Sequence, residues 1–176
     1  MGGLENLMRA NLSFLLRSGA AAGAIKVGGG LGNYLMFVAL AQVTSAREFG
    51  LCAADFSVAG LLGVIGSAGQ QSAVLRFWPE WTAKGDQGHA ARLVGYSMRI
   101  ACVGQLAIIL FAAAVGLTAS GLGADPAWAW LGAATGLLAA GLGYSEVLSG
   151  FLRARGHVFF ALLPKDIVWR AIVLLA

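Results

Sequence analysis

Residues 17–50 read RSGAAAGAIKVGGGLGNYLMFVALAQVTSAREFG (Arg17–Gly50). From Val27 to Ala46 no Asp, Glu, Lys or Arg occurs, and about 20 predominantly apolar residues suffice to cross a bilayer. The stretch therefore reads as a membrane span, placed at residues 19–43. It is rich in glycine and carries Lys26 and Asn33. With 3.6 residues per turn, Gly19, Gly23, Lys26, Gly30 and Asn33 fall on one stripe, with Ile25, Leu31, Leu35 and Val38 across from them. A span of that kind faces protein or water on its small, polar side and lipid on the other.

The rest of the chain has the same character. Of 176 residues, 59% are hydrophobic and 11% charged, too little charge to cover a soluble domain. Residues 56–75, 100–124 and 126–145 also lack any Asp, Glu, Lys or Arg. No alternating ten-residue pattern suggests a β-barrel. The expected fold is an all-α polytopic membrane protein with spans at about 19–43, 51–75, 93–119, 127–151 and 158–176. The last is cut by the chain end, which reads as a truncation point. Residues 1–18 form an amphipathic lead at the cytoplasmic interface, in which Leu4, Leu7, Phe14 and Leu15 alternate with Glu5, Arg9 and Arg17. An uninterrupted signal-peptide core is not present, since Lys26 breaks the apolar run.

Positive charge alternates between connectors. Arg9 and Arg17 precede the first span; Arg76, Lys84 and Arg92 lie in the second connector; Arg153 and Arg155 lie in the fourth. The first connector has only Arg47 and the third has none. The positive-inside rule then puts the N-terminus in the cytoplasm. The net charge of +4 sits between spans, so it gives no face for nucleic acid. Cys52 and Cys102 are single residues in apolar runs and read as small buried hydrophobes. No cysteine–histidine cluster suggests a metal, and no cofactor motif is present: Gly28–Gly32 follows no strand and fits neither phosphate-loop pattern. No Ser/His/Asp set, HExxH or DxD points to an enzyme.

Candidate functional residues are therefore those in or near the spans. Lys26 either snorkels to the interface or presents a cation to a cavity. Arg76, Arg92 and Arg99 close or open spans on the cytoplasmic side, with Arg99 about two turns inside; with Arg17 and Lys26 they would form a cationic vestibule, and Asn33 would line it. Guanidinium groups suit phosphate because each donates two parallel hydrogen bonds. Asp55, one turn into the second span, is a candidate for cation coupling. Glu146 pairs most simply with Arg153 on its own helix face, and Asp166 with Arg170 four residues on. His89 and His157 stand at connectors and read as solvated.

The order of features resembles a known group. The turn AQVTSAREFG (Ala41–Gly50), the close GQQSAVLRFWPEW (Gly69–Trp81), AKGDQG (Ala83–Gly88) and the exit EVLSGFLRARGHVFFALLP (Glu146–Pro164) resemble polysaccharide biosynthesis and export flippases. These belong to the multidrug/oligosaccharidyl-lipid/polysaccharide exporter superfamily. Where many relatives carry Ala-Arg-x-x-Gly this chain has Gln42 and Ser45, so the family's turn arginine has no counterpart; Arg47 stands later. The resemblance implies two similar helical lobes around a central cavity that opens to either side in turn. The chain would supply most of the first lobe and need a second lobe or another chain. The implied cargo is a lipid-linked oligosaccharide, its diphosphate head held by cavity cations and its tail left among membrane lipids, in the bacterial inner membrane. Two other readings stay open: a cation-coupled multidrug exporter of the same fold, and a non-transporting membrane scaffold or truncated remnant.

Overall fold

The computed structural model describes the backbone of residues 2–168, and side chains from Gly19 to Ile167 apart from Ala21, Ala22 and Lys165. The described residues are helical, and four helical segments are long and apolar enough to cross a membrane: Gly23–Val43, Ala46–Ser67, Gln87–Gly121 and Ala127–Ala154. The chain is an all-α, multi-pass membrane protein. It divides into two compact units, residues 1–43 with 157–176, and residues 44–156.

The first unit is built on α1, Gly2–Val43. The amphipathic lead is not a separate element: the helix runs without a break through residue 18 into the span. Two short segments pack on it, α6 (Val158–Leu163) and a π-helical turn, Pro164–Val168. Proline lacks an N–H and its ring crowds the carbonyl four residues back. Widening the helix at Pro164 accommodates both defects. Ile25 and Gly29 on α1 are buried, as are Ala161 and Leu162 on α6. Residues 169–176, the remainder of the expected fifth span, lie outside the described residues.

The second unit begins with α2, Ala46–Ser67. Ser45 caps it: its hydroxyl accepts from the Glu48 N–H at 3.3 Å, while the Ser45 N–H donates to the Glu48 carboxylate at 2.9 Å. This reciprocal pair explains why the chain turns at TSARE. The helix does not continue to residue 75. Ala68 (φ 47°) and Gly69 (φ 68°) are both left-handed and end it, and α3 (Gln70–Ala83) starts afresh. The 22 residues of α2 are about 33 Å long, enough for a hydrocarbon core of about 30 Å. Next come α4 (Gln87–Gly121), capped by Asp86, and α5 (Ala127–Ala154).

Helices α4 and α5 form the centre of this unit, packed against each other and each against α2 and α3. The buried face of α4 is Ala90, Ser97, Ala101, Gln105, Ala112 and Gly116. The buried residues of α5 are nearly as small, among them Gly136, Ala139, Gly143 and Gly150. In lipid no hydrophobic force pulls helices together, so close backbone approach and van der Waals contact must. A Cβ at Gly104 would collide with the Gly66 carbonyl, and one at Gly132 with the Ala112 carbonyl. Only glycine permits those contacts.

Candidate functional site

In the first unit the polar stripe of α1 is open. Gly19, Gly23, Lys26 and Gly30 are exposed and Asn33 is half-buried. The apolar side divides: Ile25 packs inward, while Leu31 and Leu35 are 59% and 47% exposed. Lys26 has a partner that sequence reasoning did not give it. Its ammonium lies 3.3 Å from the Asp166 carboxylate, with the lysine side chain 57% and the aspartate 11% exposed. Arg170, the partner expected for Asp166, lies outside the described residues, and so does the side chain of Arg17. The Lys26–Asp166 pair depends on the π-helical turn, which sequence spacing does not reveal. Asn33 presents a buried Oδ1 with no hydrogen-bond partner among the described residues.

In the second unit, cations gather where α3, the start of α4 and the end of α5 meet. Arg76, Lys84, Arg92, Arg99, Arg153 and Arg155 are all there, whereas the opposite end has Arg47, Glu48 and Asp125. Aromatic rings hold several of them. Arg155 lies over Phe151 at 4.8 Å and Trp78 at 5.3 Å, and those two rings meet edge to face at 5.3 Å. Lys84 pairs with Glu80 at 2.7 Å and lies 5.1 Å from the Trp81 ring. Trp81 stacks on His89 at 4.9 Å, and His89 Nδ1 is 2.6 Å from Asp86. The His89 backbone N–H donates to Asp86 at 2.9 Å and holds that carboxyl below its ordinary range. The run RFWPEW signals this belt, since aromatic rings beside cations are common at the membrane interface.

Within that end Arg76 and Arg99 have different neighbours. The Arg76 guanidinium lies over its neighbour Phe77 at 5.4 Å. Arg99 instead shares a shallow notch of about 220 Å³ with Arg92, Gly95 and Tyr96. Helix α4 starts at Gln87, and Arg99 directly precedes its uncharged stretch 100–121, about 33 Å long.

Asp55 projects from α2 toward α5. It accepts a hydrogen bond from the Thr135 hydroxyl, which also lies 2.8 Å from the Leu131 carbonyl. Both line a cavity of about 250 Å³ whose other walls include Leu51, Val58, Phe111, Val115 and Trp128. One hydroxyl has one hydrogen and here faces two acceptors. Arg153 Nε donates to the Ser149 carbonyl on its own helix at 3.4 Å. One further expectation changes, that of the cysteines. Cys52 and Cys102 are free and exposed, on outward faces of α2 and α4. An apolar run identifies a span but not which face of it is buried.

Comparison with protein-family profiles, with curated proteins and with solved structures gives no match.

Proposed function

We propose that the chain forms a membrane transporter, or part of one, that moves a lipid-linked oligosaccharide across the bacterial inner membrane for polysaccharide biosynthesis. The observation that carries this reading is the open polar stripe of α1. A bilayer-length helix that leaves Gly19, Gly23, Lys26 and Gly30 exposed needs water or a polar ligand on that side. The Lys26 ammonium, 3.3 Å from Asp166, is 57% exposed, so it can also meet a diphosphate. The cationic end of the second unit supports a cytoplasmic N-terminus by the positive-inside rule. In this reading Arg17, Lys26, Asn33, Arg76 and Arg99 attract the anionic head while the lipid tail stays in the bilayer. The resemblance to export flippases motivates the cargo.

The test is translocation of a fluorescent lipid-linked oligosaccharide by the full-length protein in proteoliposomes. Lys26→Gln is expected to lower the rate at least tenfold, and Lys26→Arg to keep most of it. Wild-type translocation by Lys26→Gln at equal reconstitution would end the proposal.

A second reading rests on Asp55. A carboxylate at the wall of an otherwise apolar cavity suits a lipophilic organic cation exchanged for protons or sodium. Efflux of such a cation, abolished by Asp55→Asn with glycan export unchanged, would select it.

A further inference from the structure

The second unit leaves one face of α4 unpartnered. At 100° per residue, Arg92, Gly95, Tyr96, Arg99, Val103, Leu106 and Leu110 fall within about 60° of one line along the helix. The buried residues Ala90, Ser97, Ala101, Gln105, Ala112 and Gly116 lie on the other side. The outward line is open: Tyr96 is 60% exposed, Val103 69%, Leu106 56% and Leu110 63%. Arg92, Gly95 and Arg99 are exposed as well.

We propose that this face is a docking lane for one anionic phospholipid. Its head is the notch. Arg92 and Arg99 stand two turns apart, about 10.5 Å along the axis, and Tyr96 adds a phenol between them. Gly95 is the floor: a Cβ there would meet nothing within 4 Å, so a phosphate can approach the helix backbone. Neither arginine takes part in an ion pair among the described residues. The nearest acid toward the helix start, Asp86, is hydrogen-bonded to His89 and feels Arg92 only as the weakest of the charges and donors around it. Two guanidinium groups on one face, ahead of the uncharged stretch 100–121, thus present bidentate donors to a phosphate. The tail of the lane is apolar. From Arg99 to Leu110 it extends about 16 Å, which matches one leaflet of a core about 30 Å thick. Leu117, 61% exposed, continues the same line into the other leaflet. A head of two cations followed by one leaflet of apolar side chains is complementary to a phosphatidylglycerol-like lipid. A partner helix would have to bring an acidic side chain opposite the guanidinium pair. The inference does not rest on the transport reading but competes with it for Arg99, and the lipid retained in the test decides between them.

The test is native mass spectrometry of the full-length protein from phosphatidylcholine nanodiscs containing phosphatidylglycerol at increasing fraction. One phosphatidylglycerol is expected to be retained in preference to phosphatidylcholine. At about a fivefold contribution per cation near an anionic surface, the double variant Arg92→Gln/Arg99→Gln should lower that preference about 30-fold. Gly95→Leu, which fills the floor and leaves both charges, should lower it about as far with the thermal midpoint unchanged. Arg47→Gln, at the other end of the unit, should leave it unaltered. Equal retention in the double variant and in Gly95→Leu would overturn the lane. Retention of a polyprenyl diphosphate in place of phosphatidylglycerol would overturn the phospholipid in favour of cargo, and retention of a second protein chain with neither lipid would assign the face to a helix.

Discussion

The Gln105 side-chain amide on α4 donates a 2.9 Å hydrogen bond to the Gly63 backbone carbonyl on α2. A Cβ at Gly143 of α5 would collide with both that amide and that carbonyl. Three helices therefore meet at one buried amide. Interhelical hydrogen bonds in membranes contribute about 0.6 kcal/mol, and at most about 1.7. Gln105→Ala should cost that order of stability. Gly143→Ala should cost more, about 1–3 kcal/mol, because overpacking must push backbones apart. Reversible unfolding in mixed micelles gives the ranking; a Gly143→Ala protein as stable as wild type would contradict this packing.

Lys26 and Asp166 should show strong coupling. Removing one member of a buried pair costs about 3–5 kcal/mol, but Lys26 is 57% exposed and solvent screening reduces the effect. Lys26→Gln alone should cost about 1–2 kcal/mol by the same reasoning. Lys26→Gln/Asp166→Asn should recover at least half of it. A double-mutant cycle in detergent measures the coupling, and simple additivity would show that the pair does not form.

The joint between α2 and α3 makes a paired prediction. Ala68 is the only non-glycine residue with positive φ among the described residues, a conformation that costs an L-residue about 1–2 kcal/mol. Glycine there removes the strain but adds chain entropy of about 0.5–1 kcal/mol to the unfolded state. Ala68→Gly should thus be neutral or stabilising by up to about 1 kcal/mol, and Gly69→Ala destabilising by about as much. Thermal unfolding of the two variants should move in opposite directions or diverge by several degrees.

Asp86 makes the start of α4 sensitive to acid. Its pKa is lowered from 3.8, first by the His89 backbone N–H and then by the His89 side chain, with burial opposing both. A carboxyl with a lowered folded-state pKa stabilises above its unfolded value, and that contribution is lost as pH falls through the lowered value. The cap should therefore contribute in full above about pH 4 and be lost as pH falls from there through the lowered value. Amide exchange at His89 and Ala90, corrected for intrinsic rate, should show lost protection in that window. Asp86→Ala should show it at every pH, and a flat wild-type profile would remove Asp86 as the cap.

The membrane-spanning helices were legible because their signal is compositional: long uncharged runs bounded by charge. The helix ends were legible only where chemistry marks them, as Pro126 does before α5. The break at Ala68–Gly69 was not, because an alanine in left-handed conformation has no local marker and the apolar run continues past it. The start of α4 was set late for a related reason. Polar residues 87–92 read as a connector, yet Asp86 starts a helix there. The partner of Lys26 was out of reach, since it lies 140 residues away and depends on a π-helical turn. Asp55 was identified as a carboxylate in a span, but its contact with Thr135 required knowing which face of α2 meets α5.

The contact of Gly104 with the Gly66 carbonyl has a mechanical consequence. Where backbones touch, the distance between helix axes is set by main-chain atoms, which cannot change rotamer. The α2–α4–α5 core then responds to a thinner or thicker bilayer by tilting as a solid piece rather than by sliding one helix past another. Bilayer thickness becomes a variable that its orientation records.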